Sequence, residues 1–343
     1  MAALRKNMQC FRKLSKVCSN CCDTGLARYF QTSRVVLFDE DPLTYFNDKK
    51  VNYILRKITG DDTKKAIYKH KIEKAVTPKY LVLTDKELQK TMTKAEGIKK
   101  RRLQMPPFMK CREDRDKLLE DDPDIASILE SKYVFFDITD DNSRYKRYGE
   151  RPMVIRHRNG KLKMADWHTY DRVSQIYNPF PGREIYMPKM FKEDHLEELL
   201  DTYQNYLYIL ERACVQFEPD SSDFIRVTHR IYEHIAEHGC FDVLRSTRFF
   251  GPMAFYFAMI NKIEPLMADM IDRNLLSDAV DLINLKKILH KESEMHTQGR
   301  EILMIIQDFY NNEANKKHIH VLEEALGRLE KRLEERLQEE QSN

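Results

Sequence analysis

The sequence predicts an α+β fold that is predominantly α: a small N-terminal mixed part with a β-hairpin, followed by a C-terminal multi-helix domain. Three observations predict it. Residues 153–157 (MVIRH) and 161–165 (KLKMA) flank Arg158-Asn159-Gly160, and Asn-Gly supplies the positive φ angles that a tight hairpin turn needs. Lys132–Thr139 (KYVFFDIT) is rich in β-branched and aromatic residues and reads as a buried strand. From about Glu193 onward the chain reads as nearly all helix, and Leu196, Leu199, Leu200, Tyr203, Leu207 and Leu210 form one apolar stripe.

The first element is not part of the fold. Residues 1–34 carry Arg5, Lys6, Arg12, Lys13, Lys16, Arg28 and Arg34 against one acid, Asp23. Met8, Phe11, Leu14 and Val17 recur on one helical face. A basic, acid-poor amphipathic segment of this kind reads as a mitochondrial import leader. Arg28-Tyr29-Phe30 resembles a cleavage pattern with the cut after Phe30. The whole chain has 58 basic and 55 acidic residues; taking away the leader's seven bases and one acid leaves 51 and 54, a net of −3. Nucleic-acid binders usually carry an overall basic excess, so RNA contacts are expected to be local. Four of seven cysteines, Cys10, Cys18, Cys21 and Cys22, also lie in the leader. Cys18-x-x-Cys21-Cys22 lacks a second pair at zinc-finger spacing. Cys111, Cys214 and Cys240 are an odd, dispersed set, as expected for thiols in a reducing compartment.

Residues 35–47 read as a linker and 48–185 as the mixed α/β region. Val51, Ile54, Leu55 and Ile58 recur at helical spacing, and Gly60 closes that helix. Tyr80–Leu83 reads as a short strand. Thr84 with Glu87 forms a capping box for a helix running to about Leu103, which Pro106-Pro107 stop. Residues 111–131 are polar and acidic; after the strand and hairpin, Asp166 caps a helix over Trp167–Tyr177.

The helical domain is expected over 186–315, with Asp220, Ser221 and Ser222 as N-cap candidates and helices at 223–238, 241–260, 263–289 and 299–311. The longest uncharged apolar run, Phe249–Ile260, is too short to span a bilayer and contains Gly251 and Pro252. Neither a membrane nor a small-molecule substrate is expected as a partner. A helix over 315–339 carries Leu322, Leu326, Leu329, Leu333 and Leu337 among charges, making 316–343 a charged amphipathic C-terminal helix. Two readings stand for it: an arm onto a partner, or a helix packed on its own domain.

Few motifs carry chemistry. His234-Ile235-Ala236-Glu237-His238 matches the H-x-x-E-H pattern of inverted zinc peptidases, in which two histidines four apart chelate zinc and the glutamate acts as base. Nothing in the sequence selects a third ligand. A polar helix end, closed by Gly239 with His238 favourable beside the negative end of the dipole, accounts for the string. No metal, cofactor or catalytic residue is therefore expected. Phosphate-cradling glycine motifs and the G-x-S-x-G elbow are absent, and the chain has only 10 glycines. Asp137, Asp140 and Asp141 are explained as a strand end and polar turn.

The basic stretches are candidates for RNA contact. One holds Arg144, Lys146, Arg147, Arg151, Arg156, Arg158, Lys161 and Lys163, with Tyr145 and Tyr148 interleaved; alternation on a hairpin lets Arg156 and Arg158 share a face. The other is Lys99, Lys100, Arg101 and Arg102 at a helix C-terminus, a placement the dipole favours without any ligand. Arg245, Arg248 and Phe249, with Leu326, Leu329 and Leu333, are the partner-interface candidates, since arginine and aromatic residues are the usual hot-spot types; the other reading, which is preferred, is that Phe249 and Phe250 start a core helix.

Several longer strings carry a resemblance. RLQMPPFM around 103–109, KYVFFDIT, FEPDSSDFIRV (217–227), FDVLRSTRFFGPM (241–253), and the run from Trp167 through DRVSQIY, PGREIY and FKEDHL are similar to the mitochondrial small-ribosomal-subunit protein S-22 family, in the same order, across roughly residues 48–320. The resemblance implies a non-catalytic component of the mitochondrial ribosome, with neighbouring small-subunit proteins and small-subunit rRNA as partners. The alternatives are a free mitochondrial RNA-binding or assembly factor and, behind it, a zinc peptidase.

Overall fold

The computed structural model describes residues 41–60, 80–115, 117–126, 128–136, 151–291, 302–312 and 318–342. The leader, Asp137, Asp140 and Asp141, and Arg144, Lys146 and Arg147 lie outside them.

The expected linker carries a helix. Asp41 accepts the Leu43 amide at 3.0 Å and proline occupies the first position of α1 (Pro42–Phe46). Phe46 is buried, edge-on to Phe255 at 5.2 Å. Helix α2 (Lys49–Thr59) starts on Asp48, which accepts the Lys50 amide at 2.8 Å, and ends at Gly60 with φ 79°. Its Val51, Leu55 and Ile58 are fully buried, and the helix packs within the helical body rather than with the strands. Tyr80–Leu83 form no strand and lie exposed. The Thr84–Glu87 capping box forms as expected and opens α3 (Asp85–Arg102), which buries none of its residues.

The β layer is one antiparallel sheet in the order β1-β4-β3-β2. Its strands are β1 (Leu118–Asp121), followed by the single turn α4 (Pro123–Ala126), then β2 (Tyr133–Phe136), β3 (Met153–Arg156) and β4 (Lys161–Met164). The hairpin forms at the expected turn, with Val154 opposite Met164 and Arg156 opposite Leu162. Gly160 takes φ +81°, and a Cβ there would collide with the Asp122 carbonyl. β1 was not foreseen, because its LLED sequence shows no alternation. β2 was expected to be buried, yet Tyr133, Val134 and Phe135 are exposed: it is an edge strand, and only Phe136 reaches the small core. That core is Met153, Ile155, Ala165 and Tyr170, covered by α5 (Trp167–Tyr177), which Asp166 caps at the Thr169 amide.

The helical body comprises α6 (Glu193–Tyr203), α7 (Tyr206–Gln216), α8 (Ser222–His238), α9 (Phe250–Met259), α10 (Glu264–Asp272), α11 (Leu276–Leu289), α12 (Ile302–Asn312) and α13 (Ile319–Ser342). Three expectations are corrected. The stripe from Leu196 to Leu210 is divided between α6 and α7 by Gln204 in the left-handed region at φ 47°. The helix expected over 241–260 is a 3-10 turn (Phe241–Val243) and then α9. Pro252 is the reason: it lacks an amide donor and clashes with the carbonyl four residues back, so it is tolerated only in a first turn, where α9 places it. The helix expected over 263–289 divides into α10 and α11 at Asn274, φ 61°. The core sits under α9, whose residues from Phe250 to Ala258 are all buried.

Candidate functional site

The histidine motif ends α8. Positions four apart share a helix face, so His234 and His238 stack with ring centroids 4.1 Å apart and planes 20° apart. His234 is 1% exposed. Its Nδ1 meets the Tyr206 hydroxyl of α7 at 3.0 Å, and its Nε2 meets Asp201 Oδ1 of α6 at 3.0 Å. His238 Nδ1 lies 2.9 Å from the His234 carbonyl oxygen. Gly239, φ 65°, terminates the helix in the left-handed conformation expected of a C′ glycine. Burial lowers the His234 pKa and the Asp201 contact opposes this, so the ring is neutral near pH 7.

Glu237, the base that a peptidase would need, faces elsewhere. It takes a hydrogen bond from Arg230 at 3.0 Å, and the same guanidinium grips Glu197 of α6 at 2.6 and 2.7 Å. Burial raises the Glu237 pKa, against the pull of Arg230. What the sequence could not select is the third potential ligand: one oxygen of Asp201 and one ring nitrogen each of His234 and His238 lie within 4.8 Å of one another.

The basic hairpin is divided by its own ion pairs. Arg156 donates to the Gly160 carbonyl at 2.9 Å and to Glu120 at 2.6 Å, so it staples β3 to β1 rather than standing beside Arg158. Arg158 lies in the turn and is exposed. Lys161 is 3.8 Å from Asp121; Arg151 and Lys163 are half-buried. At the end of α3, Lys100 and Arg101 are exposed, whereas Lys99 and Arg102 are half-buried. Arg101 Nε donates back to the Gly97 carbonyl at 3.4 Å, in keeping with the helix-end role.

The interface candidates of the 245–249 block face inward. Phe249 is fully buried. Arg245 lies over Phe250 at 4.8 Å and within 4.0 Å of Asp242, Asp269 and Asp278, tying the start of α9 to α10 and α11. Arg248 lies over Phe249 at 4.8 Å. Burial raises the Asp269 and Asp278 carboxyls, and the Arg245 charge pulls them down. On α13, Leu322 and Leu329 are buried, Leu326 is partly buried and Leu333 is 37% exposed. Arg328 holds Asp272 at 2.7 Å, and Arg332 donates to the carbonyls of Asp272 at 2.5 Å and Ile271 at 3.1 Å, capping the C-terminus of α10. Up to Arg332 this helix is packed on its own domain.

One joint had no sequence signal. Arg112 lies 4.1 Å over Trp167, pairs with Asp171 at 2.5 Å and sends its amide to the Asp220 carbonyl at 3.0 Å. Arg115 lies over the same indole at 4.4 Å. These contacts join the sheet and α5 to the start of α8. Their partners are more than 50 residues apart in sequence.

Residues 44–291 match the family model described as mitochondrial 28S ribosomal protein S22. The chain is 38% identical over 275 residues to a small ribosomal subunit protein mS22 of Bos taurus, covering 79% of this chain and 75% of the relative. It is 36% identical over 275 residues to the mS22 protein of Mus musculus, with the same coverage of 79% and 75%.

Proposed function

The chain belongs to the mitochondrial 28S ribosomal protein S22 family, and from that premise we propose that it meets the small-subunit rRNA through a few exposed cations and its protein neighbours through the rest of its surface. It is a structural, non-catalytic component of the small subunit of the mitochondrial ribosome. The observation that carries this is the match across 44–291, which takes in the α1–α2 segment, the sheet and helices α5 to α11. Among the described residues no helix is long and apolar enough to cross a membrane.

The finer reading concerns surfaces. Arg158 in the hairpin turn and Lys100 and Arg101 at the end of α3 are exposed, which supports them as phosphate contacts in a chain without an overall basic excess. Arg156, already paired with Glu120, is a weaker candidate for that role. Arg144, Lys146 and Arg147 remain RNA-contact candidates by sequence and lie outside the described residues. Sedimentation of mitochondrial lysate tests the assembly: the protein should travel with the small subunit. A protein remaining at the top of the gradient would defeat the reading. Crosslinking to rRNA tests the surface: Arg158→Glu, or Lys100→Glu with Arg101→Glu, should reduce crosslinks while comigration persists. Undiminished crosslinks in both variants would reject these residues.

A further inference from the structure

We propose that Asp201, His234 and His238 form a structural binding site for a divalent transition metal, zinc above all, that fastens the C-terminal end of α6 to that of α8. The inference is independent of the ribosomal reading.

The donor set is chemically coherent. Two imidazoles and one carboxylate suit zinc and its neighbours in the first transition row, whereas calcium and magnesium require oxygen ligands. The ligand atoms lie within 4.8 Å of one another, and the Asp201–His234 pair is already at 3.0 Å. Tetrahedral ligands at 2.0–2.1 Å from zinc are about 3.3 Å apart, so the His238 ring must turn out of its stack on His234, and the exposed Asp201 side chain move in, for the three to converge. Both histidines are also oriented as ligands usually are, with the second ring nitrogen held by an oxygen. His238 Nδ1–H donates to the His234 carbonyl, which leaves its lone pair on Nε2. His234 Nδ1 meets the Tyr206 hydroxyl, which leaves Nε2 to face Asp201 and the metal. The nearby Arg230 charge is matched by Glu197 and Glu237, so it is not a bare cation repelling the ion.

The same network separates this site from a peptidase. Glu237, the residue at the base position of the pattern, is instead held by Arg230. Three protein ligands leave one position, which water fills, and the ion's work is mechanical. Asp201 lies three residues before the left-handed Gln204, so the metal would restrain the end of α6 next to the α6–α7 bend.

The test uses the full-length chain, stripped with chelator and titrated with zinc alone against a chromogenic competitor. One equivalent should bind. Cobalt(II) in its place should give the intense visible bands of tetrahedral coordination. Asp201→Asn and His238→Gln should each weaken binding by roughly 100-fold or more, beyond the 10–100-fold cost of losing a group that only orients a ligand. Tyr206→Phe should fall within that smaller range. Circular dichroism reports whether each variant folds. For any that does not, the zinc-dependent rise in the melting temperature of the unaltered chain replaces it as the readout, since a ligand of the folded state raises that temperature. The proposal is overturned if the unaltered chain holds no more zinc than the Asp201→Asn/His238→Gln double variant, or if its melting temperature does not move with zinc.

Discussion

His229 makes the fold acid-sensitive by an amount that can be worked out. The ring is 4% exposed and lies between Phe108, at 5.8 Å and nearly parallel, and Tyr256, at 4.3 Å. Burial disfavours its charged form and pushes the pKa from 6.5 down to about 3. An unfolded chain therefore takes up a proton at this residue below about pH 6.5 that the folded chain refuses until about pH 3. The stability tied to this ring is full above pH 6.5 and is lost as pH falls, at about 1.4 kcal/mol per pH unit between those limits. Between pH 7 and pH 5 the loss is about 2 kcal/mol. His234, also lowered by burial, acts in the same direction, while Asp220, Asp269 and Asp278, raised by burial, act oppositely. Comparison with His229→Phe cancels these, because phenylalanine keeps a flat ring between Phe108 and Tyr256 and does not titrate. Urea unfolding at both pH values is the assay. The unaltered chain should lose about 2 kcal/mol more than the variant on going to pH 5. Parallel losses, within about 0.5 kcal/mol, would refute the argument that burial alone holds this imidazole neutral.

Three other outcomes follow from packing. Leu322→Ala should cost about 2–5 kcal/mol, the range for a fully buried leucine, and Leu333→Ala less than about 1 kcal/mol, read by chemical denaturation; equal costs would mean that α13 is an arm rather than part of the body. Gly160→Ala should destabilise the hairpin by about 1–3 kcal/mol, through the positive φ and the collision with the Asp122 carbonyl, seen as faster amide exchange in β3 and β4. Arg112→Ala should cost about 2–4 kcal/mol and speed proteolysis between the sheet and α8, because Asp171 loses its partner and Trp167 loses a stacked guanidinium.

The sequence was readable wherever one short stretch determined the outcome. The Thr84–Glu87 box, the Asp166 cap and the Gly239 stop are each complete within a few residues and formed as expected; the Asn159-Gly160 turn formed at the expected place, with the positive φ on Gly160 and not on Asn159. Elements failed where the deciding partner was distant. Among the described residues β2 pairs with β3 on one side only, and aromatic content alone suggested burial. Gln204 carries no turn signal of its own, yet it takes the left-handed conformation that ends α6. Phe249 and Phe250 start a core helix, the reading the sequence favoured, while the carboxylates around Arg245 come from α10 and α11 and had no local signal.

The histidine motif shows the same limit from the other side. Helical spacing was enough to place His234 and His238 on one face, and Gly239 was enough to explain why the helix stops there. Neither says what lies opposite. Asp201 is 33 residues from His234, exposed, and preceded by Glu197 and Glu198, so no spacing rule singles it out from its acidic neighbours. The fold does so by turning the chain at Gln204, which sets the end of α6 against the end of α8. Glu197, one turn earlier on α6, is directed by the same packing to Arg230. Four residues on one helix thus separate a carboxylate that neutralises a guanidinium from one that completes a metal-binding triad. That division also takes Glu237 out of any catalytic role. A pattern that the sequence explained as a polar helix end becomes, once its neighbours are in place, a candidate clamp between two helices of a ribosomal protein.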